Sequence, residues 1–118
     1  MAAIRQAVEI GPRDGSRLQP VIALVDVAST YAVMPSSVLN MLGITPEWTS
    51  VFEYADGSSE EFPSAEVRLR LNNQDRTVVC VFGKPDSQPV LGAHTLLAFG
   101  LAVDPEGGTL PPARLNIT

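Results

Sequence analysis

Nine glycines and ten prolines are spread along the whole of a 118-residue chain, and the apolar runs between them are short. Punctuation at that density breaks long helices and suits short strands joined by turns, so an all-β domain is expected. Ala2–Ile10 reads as a first strand and Gly11-Pro12-Arg13-Asp14-Gly15 as a turn. Leu18–Val25 reads as a second strand, apolar on both faces and therefore expected to be buried. Tyr31–Met34 reads as a short third strand. Pro35–Gly43 predicts a short helix, with a Ser to cap its start and Gly43 to end it in the left-handed conformation. Val51–Tyr54 and Glu60–Phe62 flank Ala55-Asp56-Gly57-Ser58, and Asp-Gly between extended runs predicts a hairpin. Val67, Leu69 and Leu71 alternate with Arg68 and Arg70, a half-exposed strand over Glu66–Leu71. A turn at Asn72–Asp75 leads into a buried strand, Arg76–Phe82. Val90-Leu91-Gly92 then leads into a second short helix, Ala93–Phe99, closed by Gly100.

The length fits a single domain over residues 1–118. Eight basic against thirteen acidic residues give a charge of −5, which argues against nucleic acid or an anionic membrane as partner. Cys80 is the only cysteine and His94 the only histidine, so one chain can build neither an internal disulfide nor a Cys/His zinc site. The longest uncharged stretch, Val27–Pro46, holds two prolines and several hydroxyl and amide side chains and does not read as a membrane span. With no signal peptide visible, a cytoplasmic protein is expected. No phosphate-cradling glycine loop or metal-ligand cluster is present, so neither cofactor nor metal is expected.

Two features stand out. Val38–Ile44 and Thr95–Leu101 echo each other, each a short helix, a glycine and an apolar residue. Helix ends often look alike, and an internal two-fold gives the same echo. The second feature is Asp26, which follows Ile22-Ala23-Leu24-Val25 with no other charge between Arg17 and Glu47. A carboxylate at the end of a buried strand must be hydrogen-bonded, paired or neutralised. One reading makes Asp26 a turn cap over Val27-Ala28-Ser29-Thr30. The other makes it a reactive carboxylate with a shifted pKa.

Ala23–Pro35 resembles the active-site strand and loop of the retropepsin-like aspartic proteases, whose loop reads Asp-Thr/Ser-Gly-Ala/Ser. Leu42-Gly43-Ile44 is similar to the end of the helix that follows that loop. Tyr54-Ala55-Asp56-Gly57-Ser58 stands where the family has its flap hairpin, and Val90-Leu91-Gly92 resembles the apolar motif packed beneath the catalytic loop. The matches come in the family's order over most of Leu18–Asp104. The resemblance implies a small closed acid-protease barrel with two short helices, and Asp26 as catalytic residue. Val27 replaces the family's hydroxyl residue and Ala28 its glycine, while Ser29 keeps a hydroxyl that can orient the carboxylate.

Peptide hydrolysis of this kind needs two carboxylates sharing one proton, one acting as base on water and the other as acid. The second half carries Val90-Leu91-Gly92-Ala93 and no such aspartate, so a homodimer acting on a peptide or protein substrate is implied. The alternatives are a pseudo-protease that uses the same cleft for binding or dimerisation, and an unrelated β domain in which Asp26 is only a turn residue. Asp56 is read either as a substrate contact at the flap tip or as an ordinary turn residue. Trp48, Phe52 and Tyr54 are read as core or dimer contacts, with a substrate cleft as the other possibility. Cys80 is expected in a buried strand and His94 at the surface or in packing; no signature joins them as a nucleophilic pair.

Overall fold

The computed structural model describes residues 3–118, and the Ala2 end of the first expected strand lies outside them. Seven strands and two helices follow one another: β1 (Arg5–Gly11), β2 (Gln19–Val25), β3 (Ala32–Pro35), α1 (Ser36–Met41), β4 (Trp48–Glu53), β5 (Ser59–Leu71), β6 (Gln74–Gly83), β7 (Val90–Leu91) and α2 (Ala93–Ala98). Hydrogen-bonded neighbours run β1-β2-β7-β3-β6-β5, and β5 pairs back to β1 through Glu9–Gly11 and Arg68–Arg70. Six strands thus close a barrel, and closure removes the unpaired edges of a small sheet. β4 lies outside the ring, paired only with the first half of β5.

Alternation along the strands fills the barrel. Val67, Leu69 and Leu71 of β5 point inward with Val8 and Ile10 of β1 and Met34 of β3, and Leu39, Leu91 and Phe99 close the ends of this core. β2 departs from expectation. Only Ala23 is buried, Val21 and Val25 pack partly on the core, and Ile22 is 56% exposed. A barrel wall has one interior, so the second apolar face of β2 is turned outward. β5 also runs unbroken through Pro63, where the sequence suggested two separate runs. Pro63 pairs with Thr49 and falls just before the ladder with β6, which begins at Ser64, so its missing N–H interrupts no β6 bond.

The turn expected over Asn72–Asp75 is tighter. Asn72 and Asn73 both adopt positive φ, 51° and 63°, and Leu71 already pairs with Gln74. This is the two-residue mirror-image turn whose twist matches that of a hairpin. No serine caps α1; Ser37 Oγ instead donates to Pro85 O, tying the helix to the chain after β6.

The echo between the halves is present in the hydrogen bonding. Gly43 N–H donates to Asn40 O and Ile44 N–H to Leu39 O, as Gly100 N–H does to Leu97 O and Leu101 N–H to Leu96 O. Both helices therefore end in the same glycine-closed motif. The sequence offset that takes Leu39 to Leu96 also relates the parallel strand pairs. It carries the β2–β7 pairs Leu24–Val90 and Val25–Leu91 onto the β6–β3 pairs Val81–Val33 and Phe82–Met34. The bridge between Val33 and Val90 maps onto itself. The internal two-fold is thus a property of the strand register.

After β2 the chain turns through residues 26–31 and is bonded to the start of α2. Asp26 N–H donates to Leu91 O, Ala93 N–H to Ser29 O and His94 N–H to Thr30 O, at 2.8–3.0 Å. Between these bonds, a Cβ on Gly92 would lie 2.4 Å from Tyr31 O and 2.5 Å from Ser29 O. Among the described residues, no helix is long and apolar enough to cross a membrane.

Two glycines test this reading of the crossing. Gly92→Ala forces backbone apart and is expected to cost about 3 kcal/mol or more. Gly15→Ala, at φ 74° with open space around its Cβ position, is expected to cost about 1 kcal/mol from backbone strain alone. Denaturant midpoints of the two variants check the ranking.

Candidate active site

Asp26 ends β2 and begins the loop. Its backbone is fixed by Leu91, and its carboxylate Oδ1 accepts the Ala28 N–H at 3.0 Å while its carbonyl accepts the Ser29 N–H at 3.1 Å. That is the turn-capping geometry expected of an Asp before a tight turn. The placement at a buried strand end is corrected: the residue lies one step past β2 and is exposed in this chain. Val27 is 57% exposed. Ala28 needs no glycine, because the only non-glycine residues with positive φ among the described residues are Asn72 and Asn73. Ser29 Oγ donates to Tyr31 O at 2.9 Å and therefore orients the loop rather than the Asp26 carboxylate. Thr30 is exposed and contributes its carbonyl to the crossing with α2.

The hairpin of β4 and β5 stands apart from the barrel with Tyr54–Ser58 at its tip. Tyr54 N–H donates to Ser58 O and Gly57 N–H to Tyr54 O, with Gly57 at φ 88°. Asp56 Oδ1 accepts both the Ser58 hydroxyl and the Ser58 N–H, at 2.6 and 2.9 Å, which holds its carboxyl below the usual range. Tyr54 OH donates to Glu60 Oε1 at 2.8 Å, a bond that raises the phenol's pKa. Ala55 is exposed beside them.

Between hairpin and loop lies a cleft of about 370 Å³. Ala28 to Tyr31 form one side, Phe52 and Tyr54 another, and Val81 and Lys84 at the end of β6 a third. Asp26 is not among the lining residues; the cleft begins two positions further on, at Ala28. The Tyr31 ring meets Phe52 edge-on at 6.4 Å, and Phe52 meets Phe62 at 6.1 Å. Phe52 and Tyr54 therefore line the cleft, the second of the places the sequence left open for them, rather than the barrel core. Trp48 is in neither place: it is 39% exposed, with Nε1 donating to Ser50 Oγ. Sequence reasoning missed Tyr31, Phe62, Val81 and Lys84, because only the closure of the barrel brings these scattered positions to one opening.

Cys80 is fully buried in β6, and burial pushes its thiol up to about 12, so it stays protonated. His94 is exposed and packs its ring edgewise on Tyr31 at 5.2 Å. Among the described residues, no group of three or more His, Cys, Asp or Glu could hold a metal ion.

No family model and no curated relative matches the chain. Solved structures do. EIAV protease in complex with an inhibitor superimposes with a TM-score of 0.64 at 15% identity, over 98% of this chain and 94% of that one. The solution structure of simian foamy virus (mac) protease gives 0.57 at 14% identity, over 79% of this chain and 91% of that one. With its closed six-strand barrel, its projecting hairpin and its two short helices, the chain has the retropepsin-like fold of the retroviral proteases.

Proposed function

We propose that two copies of this chain form an aspartic peptidase, with paired Asp26 carboxylates at the floor of a peptide cleft. The observation that carries the proposal is the loop itself: an exposed carboxylate on a turn bonded to residues 91–94, beside a cleft covered by a hairpin. The second carboxylate must come from a second copy. The internal two-fold relates Asp26 to Gly83, and a Cβ there would lie 2.4 Å from Ser87 Oγ and 2.9 Å from Val33 Cγ1. A side chain at the related position would crowd Ser87 and Val33, and the second half presents no carboxylate there. This also replaces the sequence-based assignment of Val90–Ala93 to that position.

In the proposed dimer the two carboxylates repel and retain one proton between them. The ionised one takes a proton from water as it attacks the peptide carbonyl. The protonated one donates to that carbonyl's oxygen, and the proton held by the pair then passes to the departing amine. The loop is built for this without strain, since Ala28 sits in ordinary backbone geometry. One observation favours the pseudo-protease alternative. Val27 brings no hydroxyl to the loop, so a bond that would lock two loops together is missing.

Light scattering is expected to find a dimer at micromolar concentration; a strict monomer would remove the two-carboxylate mechanism. Asp26→Asn keeps an acceptor for the Ala28 N–H, so the variant is expected to stay folded while cleavage falls by a factor of about 10³ or more. Undiminished cleavage would take Asp26 out of the mechanism.

The rate against pH is expected to be bell-shaped and centred below neutral. Asp14, Asp56 and Asp75 have depressed carboxyl pKa values in the folded chain, held by Ser16, Ser58 and Arg70. Their contribution to stability is present above the ordinary carboxylate range and is lost as pH falls. Circular dichroism across the same range separates loss of the fold from protonation of the pair.

Val27→Thr is expected to restore a loop-to-loop hydrogen bond worth about 0.5–1.5 kcal/mol. Combined with Ala28→Gly, it is expected to cleave a mixed peptide library faster than the parent at acidic pH. If every variant dimerises and none cleaves, the cleft is a binding site.

A further inference from the structure

Lys84 is the only lysine of the chain, and it lies on the wall of the cleft. It is exposed, and among the described residues its ammonium takes part in no ion pair or hydrogen bond. Its backbone is nevertheless held from several directions. Gly83 pairs with Pro35 of β3, Lys84 O accepts the Ser87 N–H at 3.0 Å, and Pro85 O accepts the Ser37 hydroxyl of α1. A lone cation on a fixed support is thus presented to an otherwise largely apolar opening formed by Tyr31, Val33, Phe52, Phe62 and Val81.

The acidic groups nearby do not answer it. Glu53 also borders the cleft, but strand alternation puts its side chain on the opposite face of β4 from the inward-turned Phe52. Glu60 accepts the Tyr54 hydroxyl. Asp86 is exposed in the turn next to Lys84 and is in no ion pair among the described residues.

We infer that Lys84 is a specificity-determining residue: it selects a peptide carrying a carboxylate side chain close to a bulky apolar residue seated among Tyr31, Phe52 and Phe62. The inference deepens the peptide-cleft reading and rests on it. An opposing effect exists. The chain's charge of −5, with Glu53, Asp56, Glu60 and Glu61 on the hairpin, attracts cationic peptides at long range. Long-range attraction is screened beyond a Debye length of about 8 Å at physiological salt, whereas a contact pair beside apolar walls is screened much less. Contact selection therefore wins as salt rises.

The experiment uses peptides with a central Phe and Glu, Gln or Lys at each nearby position, at ionic strength above physiological. Cleavage by the full chain and binding to Asp26→Asn by fluorescence anisotropy are both measured. Glu is expected to exceed Gln by about three- to tenfold at one position, mainly through KM. Lys84→Met is expected to flatten the preference and Lys84→Glu to turn it towards Lys. No preference, a preference for Lys in the parent, or an unchanged preference in Lys84→Glu overturns the inference. Binding that prefers Glu without any cleavage supports the role of Lys84 while removing hydrolysis. Neither binding nor cleavage of any peptide overturns both.

Discussion

Three backbone hydrogen bonds and the absence of one methyl group hold the loop that presents Asp26. Asp26, Ser29 and Thr30 reach across to Leu91, Ala93 and His94, and the approach is possible only because residue 92 has no side chain. Backbone groups need partners, and here they find them in the other half of the barrel as well as in the local turn. The loop is consequently as rigid as the crossing of the two halves. A carboxylate presented on it has a defined direction although its own side chain makes a single hydrogen bond. The hairpin is built by the opposite means. Its tip is stabilised by its own residues, Asp56 with Ser58 and Tyr54 with Glu60, and among the described residues it makes no hydrogen bond across the cleft. In the proposed peptidase, a rigid floor and a separately folded cover would suit admission and then enclosure of a peptide.

Much of the fold was legible in the sequence because its signals are local. Gly57 and Gly43 stand where a positive φ is needed, and the alternation of Val67, Leu69 and Leu71 marks an inward face. Asp26 stood out as a charge in an uncharged stretch. What sequence reading missed is set by distant partners. The apolar run of β2 gave no sign that one of its faces is outside, since that depends on barrel closure by β1 and β5. Phe52 and Tyr54 were open to core, dimer contact or cleft, because aromatic identity does not tell which side of an unattached hairpin is lined. Lys84 carried no signal, and its place in the cleft follows from the end of β6 lying beside β3.

The internal two-fold is a symmetry of backbone register that the side chains do not share. The same register and the same helix ends occur twice, yet one copy presents Asp26 and the other presents Gly83 packed under Ser87. Symmetry in the backbone thus coexists with a division of labour in the side chains. A function placed on the axis between two chains is available to such a molecule, and one placed on its internal axis is not.

The strand order also fixes when the molecule can become a barrel during synthesis. β1 acquires its second neighbour only after Arg68–Arg70 of β5 has been made, and β2 waits for Val90–Leu91. At the pace of a ribosome, roughly several seconds pass in which β1 and β2 exist as a lone hairpin, a unit of marginal stability in water. The outward Ile22 and the core residues of β1 share the same exposure during that interval. A nascent chain halted before Val90 would hold all the hairpins and no closed barrel, a form suited to chaperones and proteases rather than to a partner chain.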